Sequence, residues 1–154
     1  MIDEIKNRVL YSPLLEGFIP IVPQAKQSAK FFAMKGKNGK HTVRSYTDKK
    51  KKNYVVDLES MIIYKGELIK SPLKFTGVFC FPFNKTQKKA DLKREFCLHS
   101  VKPDTDNLLK PFFDALEGKL YHNDSQICQH EVMKIRSNDF GIYYKFEEIK
   151  HKES

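Results

Sequence analysis

One acidic segment holds the residues of this chain that are best suited to chemistry. Residues 102–127 contain Asp104, Asp106, Asp114 and Asp124. The chain as a whole is strongly basic, with 28 Lys and Arg against 19 Asp and Glu and a formal net charge of +9. A basic body attracts polyanions, and a compact group of carboxylates within it can hold the divalent cation used to cut one.

Phosphodiester hydrolysis explains why these residue types would occur together. Mg²⁺ prefers oxygen ligands and keeps several waters, so two or three carboxylates and a phosphate oxygen suffice to bind it. The ion lowers the pKa of a bound water and neutralises charge, and a nearby lysine can stabilise the charge that develops. We therefore predict Asp104, Asp106 and Asp124 as ligands, with Lys110 beside them. An alternative stays open, because an Asp-x-Asp before a helix is often only a cap.

A helix that ends near Gly118, with its apolar stripe at residues 108–116, is predicted to position these groups. Its apolar side consists of Leu108, Leu109, Phe112, Phe113, Ala115 and Leu116. On the polar side, Asp106, Lys110 and Asp114 follow one another at intervals of four residues. Asp106 or Asn107 suits the N-cap. Pro111 has no N–H, so either the helix starts late or its opening turn is distorted.

Composition limits the class of protein. At 154 residues with 40% hydrophobic residues, the chain suits a single domain over residues 1–154 with one hydrophobic core. Cys80, Cys97 and Cys128 are widely spaced, which argues against disulfides and structural zinc. The sequence contains neither a signal-peptide core nor an apolar run of membrane-spanning length, so we expect a cytoplasmic protein with no membrane partner. No pattern indicates an organic cofactor.

The remaining pattern predicts an α+β fold, a mixed sheet with two main helices packed on it. Short strands are predicted at 18–22, 28–34 and 41–47, the last two joined by a glycine-containing hairpin turn at 35–40. A helix capped by Thr47 or Asp48 should follow and stop near Gly66. Strict alternation predicts a strand at 73–83, and 84–100 is expected to be a loop or a partly formed helix. The segments 127–135 and 140–149 are predicted to form an antiparallel pair turned at 137–139.

The order of the acidic residues resembles the signature of the RusA family of Holliday junction resolvases. That signature is close to Pro-Asp-x-Asp-Asn-Leu-x-Lys, then Asp-Ala-Leu, then an acidic pair followed by x-Gln. This chain has Pro103-Asp104-Thr105-Asp106-Asn107-Leu108-Leu109-Lys110, then Asp114-Ala115-Leu116, then Asn123-Asp124-Ser125-Gln126. Residues 20–28 also look like the opening strand and basic loop of the family.

The resemblance implies a small α+β homodimer that resolves four-way DNA junctions by paired nicks, often encoded by a phage or prophage. It implies Mg²⁺ ligands at Asp104, Asp106 and Asp124, with Mn²⁺ able to substitute, and a catalytic lysine at Lys110. Asn123 departs from the pattern, since family members usually have a second acid there. An amide brings an oxygen but no charge, which leaves open whether ion affinity is lowered.

Lysines elsewhere are candidates for contacts with DNA phosphates. The set is Lys26, Lys30, Lys49, Lys50, Lys51, Lys88, Lys89 and Lys102. For any single one of them, a solvated side chain is the competing interpretation. Two other functions stay open: a catalytically weak or inactive protein that binds branched DNA, and a phosphoryl-transfer enzyme acting on nucleotides. The second is disfavoured because the chain has no Gly-rich phosphate loop.

Overall fold

The computed structural model describes residues 1–26, 30–46 and 49–153. Of residues 30–32, 34, 43–46 and 49–52 it describes the backbone only. The helices are α1 (Ile2–Lys6), α2 (Lys49–Met61), α3 (Lys89–Leu92) and α4 (Thr105–Leu116), with a 3₁₀ turn at Asp124–Gln126. The strands are β1 (Val9–Ile19), β2 (Lys30–Lys35), β3 (His41–Tyr46), β4 (Leu73–Pro82), β5 (Phe96–Leu98), β6 (Ile127–Ser137) and β7 (Gly141–His151).

Five strands form one mixed sheet in the order β1-β7-β4-β6-β5, and β2 pairs with β3 in a separate hairpin. β4 runs parallel to β6 and antiparallel to β7. The α+β prediction with a mixed sheet is therefore confirmed. The prediction that the last two strands pair with each other is wrong, because β4 lies between them. Alternation identifies a strand from its own residues, but not which strand becomes its neighbour.

The core lies between this sheet and the two longer helices. The alternation in β4 buries Leu73, Phe75 and Phe79 completely. From α4, Phe112 meets the Phe75 ring at 5.2 Å and stacks on Phe146 of β7 at 6.4 Å between centroids. Aromatic packing of this kind stabilises the site indirectly, because it fixes the rotation of α4 about its axis.

Several element bounds differ from the sequence prediction. β1 begins at Val9 rather than near Phe18, and a register shift between Pro13 and Leu15 interrupts its alternation. The segment 84–100, predicted to be a loop or a partly formed helix, contains the short helix α3 and also the short edge strand β5, which was not predicted. The hairpin turn is confirmed, with Gly39 at a φ of +73° that a side chain would strain. The predicted caps Thr47 and Asp48 lie outside the described residues.

The helices of the described chain are all too short or too polar to cross a membrane.

Candidate active site

Helix α4 carries Asp106 and Asp114, and it begins at Thr105 with Asp104 as its N-cap. The predicted N-caps, Asp106 and Asn107, are thus wrong by two and three residues. Asp104 makes no side-chain cap hydrogen bond, and both Asp104 and Asp106 are exposed. Negative charge at this end of a helix is favoured by the helix dipole. The helix dipole therefore favours these carboxylates even without a bound metal ion, and their exposure leaves both free to bind one.

Lys110 is the centre of the polar side of α4. Its Nζ donates to Asp124 Oδ2 at 3.0 Å and lies 3.2 Å from Asp114 Oδ1. The hydrogen bond to Asp124, followed by that to Asp114, raises the pKa of Lys110 above its ordinary value. The structure therefore brings together three of the residues that the sequence singled out. The fully charged form of the lysine is the one that this surrounding favours.

Asp124 reaches Lys110 because a compact turn holds it there. Asn123 Oδ1 accepts from the Ser125 N–H at 2.9 Å, and Gln126 Oε1 accepts from the N–H of Asn123 at 3.0 Å. Together they form a reciprocal capping box around the 3₁₀ turn. Gln126 Nε2 also donates to the Ile69 carbonyl at 2.8 Å. The amide of Asn123, the position where the family signature has an acid, thus has a structural role in this chain.

Glu117 and Tyr121 complete the surroundings of Asp124, and the sequence analysis did not single them out. Glu117 Oε1 accepts from the Asp124 N–H at 3.3 Å. Tyr121 is fully buried and donates to the Phe113 carbonyl at 2.7 Å. Burial raises the pKa of Tyr121, and the carboxylates of Asp124, Glu117 and Asp114 raise it further. The spacing of Glu117, three residues after Asp114, was a helical-face signal that could have identified it.

Lys134 of β6 holds the loop that precedes Asp104, and nothing in the sequence indicated this role. Its Nζ donates to the carbonyls of Val101 at 2.7 Å and Pro103 at 2.8 Å. A lysine on a strand gives no sequence signal for such a role, because the loop it holds lies 31 positions away in the chain.

The three predicted metal ligands differ in their surroundings. Asp104 and Asp106 are exposed near the start of α4, while Asp124 is 30% exposed and paired with Lys110. Within the part of the chain that the structure describes, no three His, Cys, Asp or Glu side chains are grouped so that they could hold a metal ion. Carboxylate oxygens are nevertheless the donors that Mg²⁺ prefers, so the residue types suit it. Their assignment as ligands stays a prediction.

The predicted DNA contacts are only partly described. Lys26, Lys88, Lys89 and Lys102 are exposed, as phosphate contacts require. Of these, Lys26 is tied to α4, since its backbone N–H donates to the Asn107 carbonyl at 2.7 Å. The side chains of Lys30, Lys49, Lys50 and Lys51 lie outside the described residues.

The sequence of the chain is also similar to a known protein family. The family model described as Endodeoxyribonuclease RusA matches residues 20–145. This range includes α4, Lys110 and the turn that holds Asp124. A comparison with curated proteins finds no match. Since the family match covers most of the chain, the chain belongs to the RusA family of endodeoxyribonucleases.

Proposed function

We propose that this protein is a Mg²⁺-dependent endodeoxyribonuclease that resolves four-way DNA junctions by paired nicks as a homodimer. Membership of the family supports a nuclease that acts on branched DNA. The observation that carries the proposal is Lys110, which contacts both Asp114 and Asp124 within a chain of net charge +9. Carboxylates beside a cation, on a body that attracts polyanions, suit hydrolysis of a phosphodiester.

Each residue of the site would have its own role in such a reaction. Asp104, Asp106 and Asp124 would hold the metal ion, which when bound supplies an activated water and neutralises charge on phosphate. Lys110 carries a positive charge next to Asp124, so it can donate to an oxygen on which charge develops. Asn123 and Gln126 hold the turn that bears Asp124, and Lys134 holds the loop before Asp104. Preorganisation of this kind avoids rearrangement at the moment of reaction.

Paired nicks need two sites, and the sheet offers a surface for a second copy. On the face of the sheet opposite the core, a row of apolar side chains crosses four strands. Each residue of the row pairs across the sheet with the next, in the order Phe18, Tyr143, Val78 and Met133. Tyr143 is 52% exposed and Met133 49% exposed. A two-fold dimer through this face would match the approximate symmetry of a four-way junction. We expect Met133→Asp to shift the protein to monomers in sedimentation experiments, while a monomeric wild type would contradict the dimer.

The direct test of the proposed function uses a labelled four-way junction and a linear duplex of the same sequence. We expect symmetric nicks in the junction with Mg²⁺ or Mn²⁺, no cutting with EDTA, and little cutting of the duplex. Equal cutting of both substrates would contradict selectivity for branched DNA.

A protein that binds branched DNA without cutting it is the second candidate function. The Lys110–Asp124 ion pair favours it, because a paired carboxylate is less available to a metal ion. Binding of the junction with no product at any Mg²⁺ or Mn²⁺ concentration would support this alternative over the nuclease.

A further inference from the structure

Pro111 interrupts the hydrogen-bond ladder of α4 near its middle. α4 runs from Thr105 to Leu116, so Pro111 lies well beyond the first turn, where a proline is tolerated best. In a regular helix the N–H of residue 111 would donate to the carbonyl of Asn107. Proline has no such N–H, and its ring crowds that same carbonyl.

The free carbonyl is bonded by another segment of the chain. The backbone N–H of Lys26 donates to the Asn107 carbonyl at 2.7 Å. Lys26 follows the buried Pro23 and lies on the connection between β1 and the β2–β3 hairpin. The acceptor made available by Pro111 thus joins this connection to the first turns of α4, next to Asp106.

The consequence is that the backbone of a cationic residue is held beside the acidic residues. The Lys26 side chain is exposed, and its backbone is bonded to the residue that follows Asp106. From this anchored backbone, one residue away from Asp106, the Lys26 side chain could reach a DNA phosphate that lies near the acidic residues. A lysine on an unanchored connection would lose conformational entropy on binding DNA, and an anchored one loses less.

We propose that Pro111 is a positioning residue, which leaves the Asn107 carbonyl free to anchor the Lys26 segment beside the acidic residues and so presents Lys26 to the DNA backbone. The hydrogen bond that anchors the Lys26 segment is seen in the structure. The role of Lys26 in contacting DNA rests on the proposed nuclease function.

The anchoring is tested on the DNA-free protein with Pro111→Ala, which restores an N–H that competes for the Asn107 carbonyl. Loss of one backbone hydrogen bond should speed amide exchange at Lys26 about three- to tenfold. The melting temperature should stay the same or rise, since alanine favours the helix. Lys26→Ala is the matched control, because it keeps the N–H and should retain the slow exchange. Unchanged exchange in Pro111→Ala would overturn the anchoring, as would a Lys26 amide that is unprotected in the wild type.

The positioning role is tested by junction binding in EDTA. We expect both Pro111→Ala and Lys26→Ala to weaken binding, and the double variant to be weaker by less than the product of the two effects, because they act on one contact. Faster exchange with unchanged junction affinity in Pro111→Ala would overturn the positioning role. Should the wild type bind no branched DNA at all, the proposed function would fail while the exchange measurement still decided the anchoring.

Discussion

Replacement of Lys110 by methionine separates two consequences of its contacts with the acidic residues. Methionine keeps the apolar part of the side chain and removes the ammonium. In the wild type, that ammonium lies 3.0 Å from Asp124 Oδ2 and 3.2 Å from Asp114 Oδ1. Lys110→Met therefore frees a predicted metal ligand and removes a positive charge that repels the ion. We expect metal binding to tighten while cutting is lost.

The size of the first effect follows from the exposure of the pair. Unit charges at this distance attract by roughly 5 kcal/mol at an effective dielectric constant of about 20. Lys110 is 45% exposed and Asp124 30% exposed, so solvent screening and side-chain entropy lower the net value. Measured exposed pairs are worth about 0.2–1 kcal/mol, and we take about 1 kcal/mol here because two carboxylates are involved. The expected gain in metal affinity is then about fivefold.

Calorimetric titration of the DNA-free protein with Mn²⁺ measures that affinity, and single-turnover cutting of a four-way junction at saturating metal measures the chemistry. Loss of one group that stabilises transition-state charge costs about 100- to 1,000-fold in rate, which is the loss we expect. Lys150→Met is the matched control. It removes a 62% exposed lysine that is paired with Glu148 at 3.5 Å, and it should change neither quantity.

Two outcomes would refute this reasoning. Weaker Mn²⁺ binding in Lys110→Met would mean that the lysine organises the carboxylates rather than competing for them. Cutting at the wild-type rate would remove Lys110 from the reaction.

Three further predictions concern the site and the core. Asp106→Asn and Asp124→Asn should each abolish cutting, yet each variant should bind the junction as well as or better than the wild type, since a negative charge facing phosphate is removed. Gel-shift assays measure the binding and cutting assays measure the reaction. A variant that cuts at the wild-type rate would exclude the replaced residue as a metal ligand. Phe112→Ala should cost about 3–5 kcal/mol in urea unfolding, because Phe112 is fully buried among aromatic rings; a cost below about 1 kcal/mol would contradict that packing. His99 is buried, and burial, followed by the charges of Arg136 and Lys134, lowers its pKa below the ordinary 6.5. Below that pH the unfolded chain takes up a proton that the folded chain resists, so stability should fall with acid by up to about 1.4 kcal/mol per pH unit. His99→Phe should lower this slope as the pH falls below the ordinary histidine pKa of 6.5, and an unchanged slope would show that other groups cause it.

The sequence by itself determined those features that depend on near neighbours. The apolar spacing of 108–116 predicted the buried side of α4, and the alternation of 73–83 predicted β4, because helical and extended periods are properties of a short segment. The glycines of 35–40 predicted the β2–β3 turn for the same reason. The family signature identified Lys110 and Asp124, and the structure pairs them at 3.0 Å.

Tertiary structure alone decided which segments meet. β6 and β7 each look like strands, yet β4 inserts between them, because strand neighbours depend on the packing of the whole sheet. Glu117 and Lys134 acquire roles from partners brought to them by the fold. Pro111 is the clearest case. The sequence shows that it lacks an N–H, but only the folded chain shows that the Asn107 carbonyl bonds to Lys26 instead. A hydrogen-bond acceptor has no preferred partner in sequence; the partner is whichever donor the fold places within reach.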